Sequence, residues 1–132
     1  MAQTFEASVD DWVRESQDRL LAVFKTAAQF VFDQIVDQWP RDTGFSAASF
    51  TASTSGFAPL IGNQGVMPQV PDYTLAIAGA DLGDTIFGSF AANYAVHIEY
   101  GSNGRPGRGI VRLAAQNWQQ TVNRAVASVK GA

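Results

Sequence analysis

Between Ser8 and Trp39, apolar residues return at Val9, Val13, Leu20, Phe24, Ala27, Val31, Ile35 and Trp39, close to the 3.6-residue repeat of a helix with one buried face. Ser8 can cap that helix, Asp10 and Asp11 fall in its first turn where the dipole favours negative charge, and Pro40 ends it. Some 30 residues at about 1.5 Å each make a rod of roughly 45 Å. A compact domain of this length is roughly 36 Å across. The rod outruns its own domain, so it either bends or packs one end on a neighbour, with Trp12 and Trp39 as suitable anchors in the second case.

Beyond the turn Arg41-Asp42-Thr43-Gly44 the period changes. Residues 45–55, FSAASFTASTS, read as a strand with room for one helical turn before it. Residues 73–78 alternate through Tyr73, Leu75 and Ile77, and residues 84–90 through Ile86, Gly88 and Phe90, which predicts two more strands. The stretch 56–72, with Pro59, Gly62, Gly65, Pro68 and Pro71, is a long loop, apolar enough at Val66, Met67 and Val70 to lie against something. A short helix over 91–100 stops at Gly101, a loop carrying Arg105 and Arg108 follows, and a helix over 110–129 carries Val111, Ala115, Trp118, Val122, Ala125, Val126 and Val129 on one stripe. The expected architecture is one α+β domain: a small, mainly antiparallel sheet packed against the long N-terminal and the C-terminal helix, with a short helix before the basic loop.

Charge adds an asymmetry. The 132 residues carry a net −3, but residues 1–100 carry −8 and residues 101–132 carry +5. Such a chain can attract a copy of itself head to tail, the geometry of rings; the alternative is that the two parts complement each other within one fold. Asp33 and Asp37 are like charges four apart near a helix C-terminus, each effect costing a few tenths of a kcal/mol. Pairing with Arg105, Arg108 or Arg112 would offset this; two solvated acids is the plainer alternative. With 16% charged and 46% hydrophobic residues, the surface is weakly charged, as expected where other chains cover part of it. There is no cysteine, hence no disulfide or thiolate metal site. The first residues lack the layout of a signal peptide and no run is long enough for a membrane span, so a cytosol-like compartment, or release by lysis, is expected.

Candidate chemistry is sparse. Asp42-Thr43-Gly44 matches the triplet of aspartic proteases, and a dimer would supply two aspartates, but that triplet should follow a buried strand and here follows Trp39-Pro40-Arg41. His97 and Glu99 match half of a zinc deaminase signature whose cysteines are missing, and there is one histidine in the chain. The glycine-rich loop opening a helix at Gly109 suits an anion, with neither P-loop nor dinucleotide spacing. Arg105, Arg108 and Arg112 leave nucleic-acid contact open, although the acidic balance argues against duplex binding as the main task. No catalytic, metal or cofactor site is expected.

Three features in order point to one family. Pro40-Arg41-Asp42-Thr43-Gly44 follows a long N-terminal helix, with Ser49 near the strand; Tyr94, Ala95, Glu99 and Gly101 end a short helix; a basic, Pro-containing loop with Arg105 and Arg108 then leads into a helix at Arg112. Over roughly residues 9–129 this resembles the tail-completion, or minor tail component, family at the head–tail neck of long-tailed double-stranded DNA phages and related gene-transfer particles. The chain departs from the family pattern in having Phe45 and Ser46, where members carry a leucine and a basic residue, and in a longer 56–72 loop.

The resemblance implies a structural virion protein rather than an enzyme, made in the bacterial host cytoplasm and assembled as a homohexameric ring. Its partners would be its own copies, the tail tube protein and the head connector or adaptor, with a passing contact to DNA in the lumen and none to membrane. It implies that Tyr94 packs under the loop. It also implies that Glu99 accepts hydrogen bonds from backbone N–H groups or an arginine, fixing the loop's exit; each residue serves either fold maintenance or a partner contact. The alternatives are a tail terminator ring capping the tube, a small binding or toxin-related module, and a dimeric aspartic-type protease using Asp42.

Overall fold

The structure, a computed structural model, describes residues 5–41, 44–62 and 68–131. It is α+β. The N-terminal helix α1 runs from Phe5 to Gln38, 34 residues, or about 51 Å. A single turn α2 (Phe45–Ala48) leads into strand β1 (Phe50–Ser53), which pairs antiparallel with β2 (Phe87–Phe90) in the register Phe50↔Phe90 to Ser53↔Phe87. Ile61 of the long loop bridges Ala92 in parallel, its amide donating to the Ala91 carbonyl and its own carbonyl accepting from the Asn93 amide. At Ile61 the long loop thus meets the chain just beyond β2; of the residues expected to seat it, Val66 and Met67 lie outside the described residues.

The core is aromatic and sits on the second half of α1. Phe32 meets Phe50 edge-on at 5.2 Å and Tyr73 at 5.8 Å, and Phe90 stacks on Trp39 at 3.9 Å between ring centres. Such pairs add about 0.5–1.5 kcal/mol each beyond the area they bury. The indole N–H of Trp39 donates to Ser46 Oγ at 3.0 Å, so this buried side chain leaves no polar atom unpaired. Trp39 is thus a core residue and not the anchor for a neighbour that its position at the helix end suggested. Ser49, fully buried, accepts from the Ala92 amide with its hydroxyl and from the Ala91 amide with its carbonyl, fastening the start of β1 to the end of β2.

Five elements differ from the sequence expectation. Residues 73–78 are not a strand but a helix, α3 (Tyr73–Ala78), because the Asp72 carboxylate accepts from the Thr74 amide at 2.9 Å and nucleates the turn. The same apolar residues fit helical spacing: Tyr73, Ala76 and Ile77 pack on the core, while Leu75, the middle of the supposed alternation, points to solvent. The C-terminal helix is kinked at Asn117 into α5 (Ile110–Gln116) and α6 (Trp118–Lys130). Trp118, placed on the buried stripe by its spacing, is exposed after that kink. The short helix before the basic loop, α4, is confined to Ala95–Tyr100, and the first and last strands shrink to 50–53 and 87–90. α5 and α6 pack along α1, and α3 packs on both α1 and β1.

Among the described residues Asp33 has no arginine partner: its carboxylate accepts from Gln29 and from the Tyr73 hydroxyl. Burial first, then the hydrogen bond to Asp33 and the charges of Asp33, Asp72 and Asp37, raise the pKa of Tyr73 well above that of a free phenol.

Candidate functional site

The basic loop is an ordered hairpin. Strands β3 (Gly101–Ser102) and β4 (Arg105–Pro106) pair antiparallel around Asn103 and Gly104, which both take positive φ, 51° and 78°. Two consecutive left-handed residues make the turn whose twist matches a two-residue hairpin, and Asn-Gly is its strongest sequence signal. The hairpin folds back on the end of α4: the Arg108 amide donates to the Ile98 carbonyl at 2.8 Å and the Gly109 amide to the Glu99 carbonyl at 3.0 Å. These bonds satisfy carbonyls that a helix end otherwise leaves bare. The approach is so close that a Cβ on Gly107 would run into the Glu99 carbonyl, and one on Gly101 into the Arg105 carbonyl.

Glu99 locks this junction. It is 6% exposed, and its carboxylate accepts from the Val111 amide at 2.9 Å, the Arg112 amide at 3.0 Å and Arg112 Nε at 3.1 Å. Arg112 Nη2 also donates to the Glu99 carbonyl at 2.7 Å, and its guanidinium lies over the Tyr100 ring, 4.6 Å from the centroid. Burial pushes the Glu99 pKa up, but the two amides and the arginine outweigh it and hold the carboxyl below its ordinary range. The first turn of α5, which the sequence marked as an anion site, is therefore filled by the chain's own carboxylate.

The other site residues distribute as follows. Gly44, at φ 78°, opens α2, while Asp42 and Thr43 lie outside the described residues. Tyr94 stacks on Phe45 at 6.0 Å, which joins the region after the Asp-Thr-Gly turn to the start of α4. Arg105 and Arg108 are exposed and, among the described residues, meet no carboxylate. His97, two residues before Glu99 on α4, faces solvent while Glu99 faces inward, so the pair forms no joint site. Among the described residues, no group of three or more His, Cys, Asp or Glu is placed to hold a metal ion, and no helix is long and apolar enough to cross a membrane.

Sequence reasoning missed a groove of about 590 Å³ beside the lock. Trp39 and Phe90 form its floor; Phe57 and Leu60 from the long loop stand on one side, and Val96, Tyr100 and Val111 on the other. Phe57 and Leu60 are 69% and 70% exposed. No periodicity marks such a feature, because its walls come from four separate stretches of chain. At the opposite end of α1, Val9, Trp12, Val13 and Leu20 are also exposed, Trp12 by 68%, and the first fully buried residue of the helix described is Ala27. Set against known proteins, the chain matches no family model, no curated protein and no solved structure.

Proposed function

We propose that the protein is a structural subunit of the head–tail neck of a long-tailed phage or related particle, closing with its own copies into a ring between the head connector and the tail tube. One observation carries the reading: the first half of α1 bears, as an arm, an apolar stripe that the described residues of its own chain leave exposed. A stripe of Val9, Trp12, Val13 and Leu20 in water is a cost that contact with another chain removes. The charge division supports the same reading, since the arm belongs to the acidic part of the chain and the exposed Arg105 and Arg108 to the basic part. Under this reading the protein catalyses nothing, Glu99 and Arg112 hold the shape of the subunit, and Arg105 and Arg108 face a neighbouring ring, the tube or lumenal DNA.

Deleting the gene from the producing phage tests this. The expected lysate contains filled heads and finished tails that do not join, and supplying the protein restores joining. Tails of uncontrolled length would assign the chain to the terminator ring instead. Normal particles without the protein would overturn the reading, as would a stable dimer whose proteolytic activity vanished on Asp42→Asn.

A further inference from the structure

The groove and the arm lie at opposite ends of one helix. Trp12 and Trp39 are 27 positions apart on α1 and its end, a separation of about 40 Å along a continuous helix. The helix that bears the arm also forms the groove floor, so a chain cannot fold its own Trp12 into its own groove. A second copy can supply it. The groove's walls are exposed and apolar at Phe57, Leu60, Val96 and Tyr100, and its volume falls in the range that encloses a bulky apolar group. Positive charge adjoins it: Glu99, which lines the groove, is already paired with Arg112, and the hairpin bearing the exposed Arg105 and Arg108 is bonded to the end of α4, whose Val96, Glu99 and Tyr100 line the groove. The arm is acidic, with Asp10, Asp11, Glu15 and Asp18 against Arg14 and Arg19 between residues 8 and 20. An amphipathic helix that sets an aromatic anchor in an apolar groove, with opposite charges at the rim, is a recurring mode of recognition.

We infer that the Trp12 face of α1 from one copy seats in the Phe57–Leu60–Val96–Tyr100 groove of the next copy, head to tail. This rests on the proposed self-assembly and names the contact that makes it. The joint is heterologous, using two different patches of the same chain. Repetition therefore leads to a closed ring when the rotation per step divides a full turn, and to a filament when it does not. Tyr100 has a double part, holding Arg112 on one face of its ring and lining the groove.

The absence of cysteine from the sequence makes the contact directly testable. A double variant, Ser16→Cys with Val96→Cys, which keeps Trp12 and puts the thiol one turn along the same face of α1, is oxidised mildly and run on a non-reducing gel beside Ser16→Cys with Leu82→Cys, which puts the second thiol on an exposed turn that does not line the groove. The expected result is a ladder of disulfide-linked species at least about tenfold stronger than in the control. Mixing separate Ser16→Cys and Val96→Cys chains should give linked dimers that grow no further. Cross-linking no greater than in the control overturns the contact, and intermediate trapping makes this result informative even where the free chain is mostly monomeric. Failure of the wider reading looks different: linked chains that form only open filaments confirm the contact and contradict the ring, whereas rings that link at other positions keep the ring and overturn the contact.

Discussion

Replacing Glu99 with alanine should unfasten the junction from inside. The substitution leaves the amides of Val111 and Arg112 at the start of α5 without their acceptor, and removes a charge-assisted bond to Arg112 Nε. Bonds to a charged acceptor are worth about 1.5–3 kcal/mol each. Two reductions apply: Val111 is 38% exposed, so its bond is not fully shielded from water, and the Arg112 side chain is half exposed, so its ion pair contributes little. The expected loss is about 2–3 kcal/mol, which for a domain of this size lowers the thermal midpoint by roughly 6–15 °C. Glu99→Gln keeps one acceptor oxygen and the shape of the side chain and should lose about half as much. Melting by circular dichroism at neutral pH measures both. The pH dependence gives a separate check. The folded pKa of Glu99 lies below its ordinary value of 4.5, so the unfolded chain binds the proton first as pH falls. The stabilisation is therefore complete above that ordinary value and disappears as pH drops through the folded pKa. The gap between parent and Glu99→Gln should narrow over the same range. An alanine variant that melted with the parent and had lost only self-association would refute the reasoning, because it would make Glu99 an interface residue.

Three further outcomes follow from particular contacts. Gly88→Ala puts a Cβ 2.5 Å from the Phe32 ring, and overpacking of this kind should cost about 1–3 kcal/mol by denaturant unfolding. Asp72→Ala removes the cap of α3 and should cost about 1 kcal/mol, with unchanged thermal stability as the contrary result. Trp12→Ser, on the exposed arm, should leave the melting temperature within about a degree, as surface changes do, while abolishing assembly seen by sedimentation; a folding defect would place Trp12 in the core of the subunit.

The long helix, its stop at Pro40 and the α+β class were legible because amphipathic period and proline chemistry are local signals. Residues 73–78 were not, since a six-residue stretch with five apolar members satisfies both repeats and only the Asp72 cap, acting on Thr74, decides between them. The hairpin was not: its stretch read as a loop, because the surrounding glycines obscured the turn signal of Asn103-Gly104. The Glu99 contacts were implied by family resemblance and appear in the structure as backbone and arginine bonds. What spacing could not convey is distance in space: that Tyr94 reaches Phe45, that Trp39 turns inward onto Phe90, and that four stretches of chain meet in one groove.

The central claim is that copies of this chain surround an axis in a finished particle, and an image of the particle's neck at side-chain resolution tests it most directly. The account predicts a ring of six copies between connector and tube, with the start of each α1 reaching its neighbour. A neck fully accounted for by other chains would contradict it.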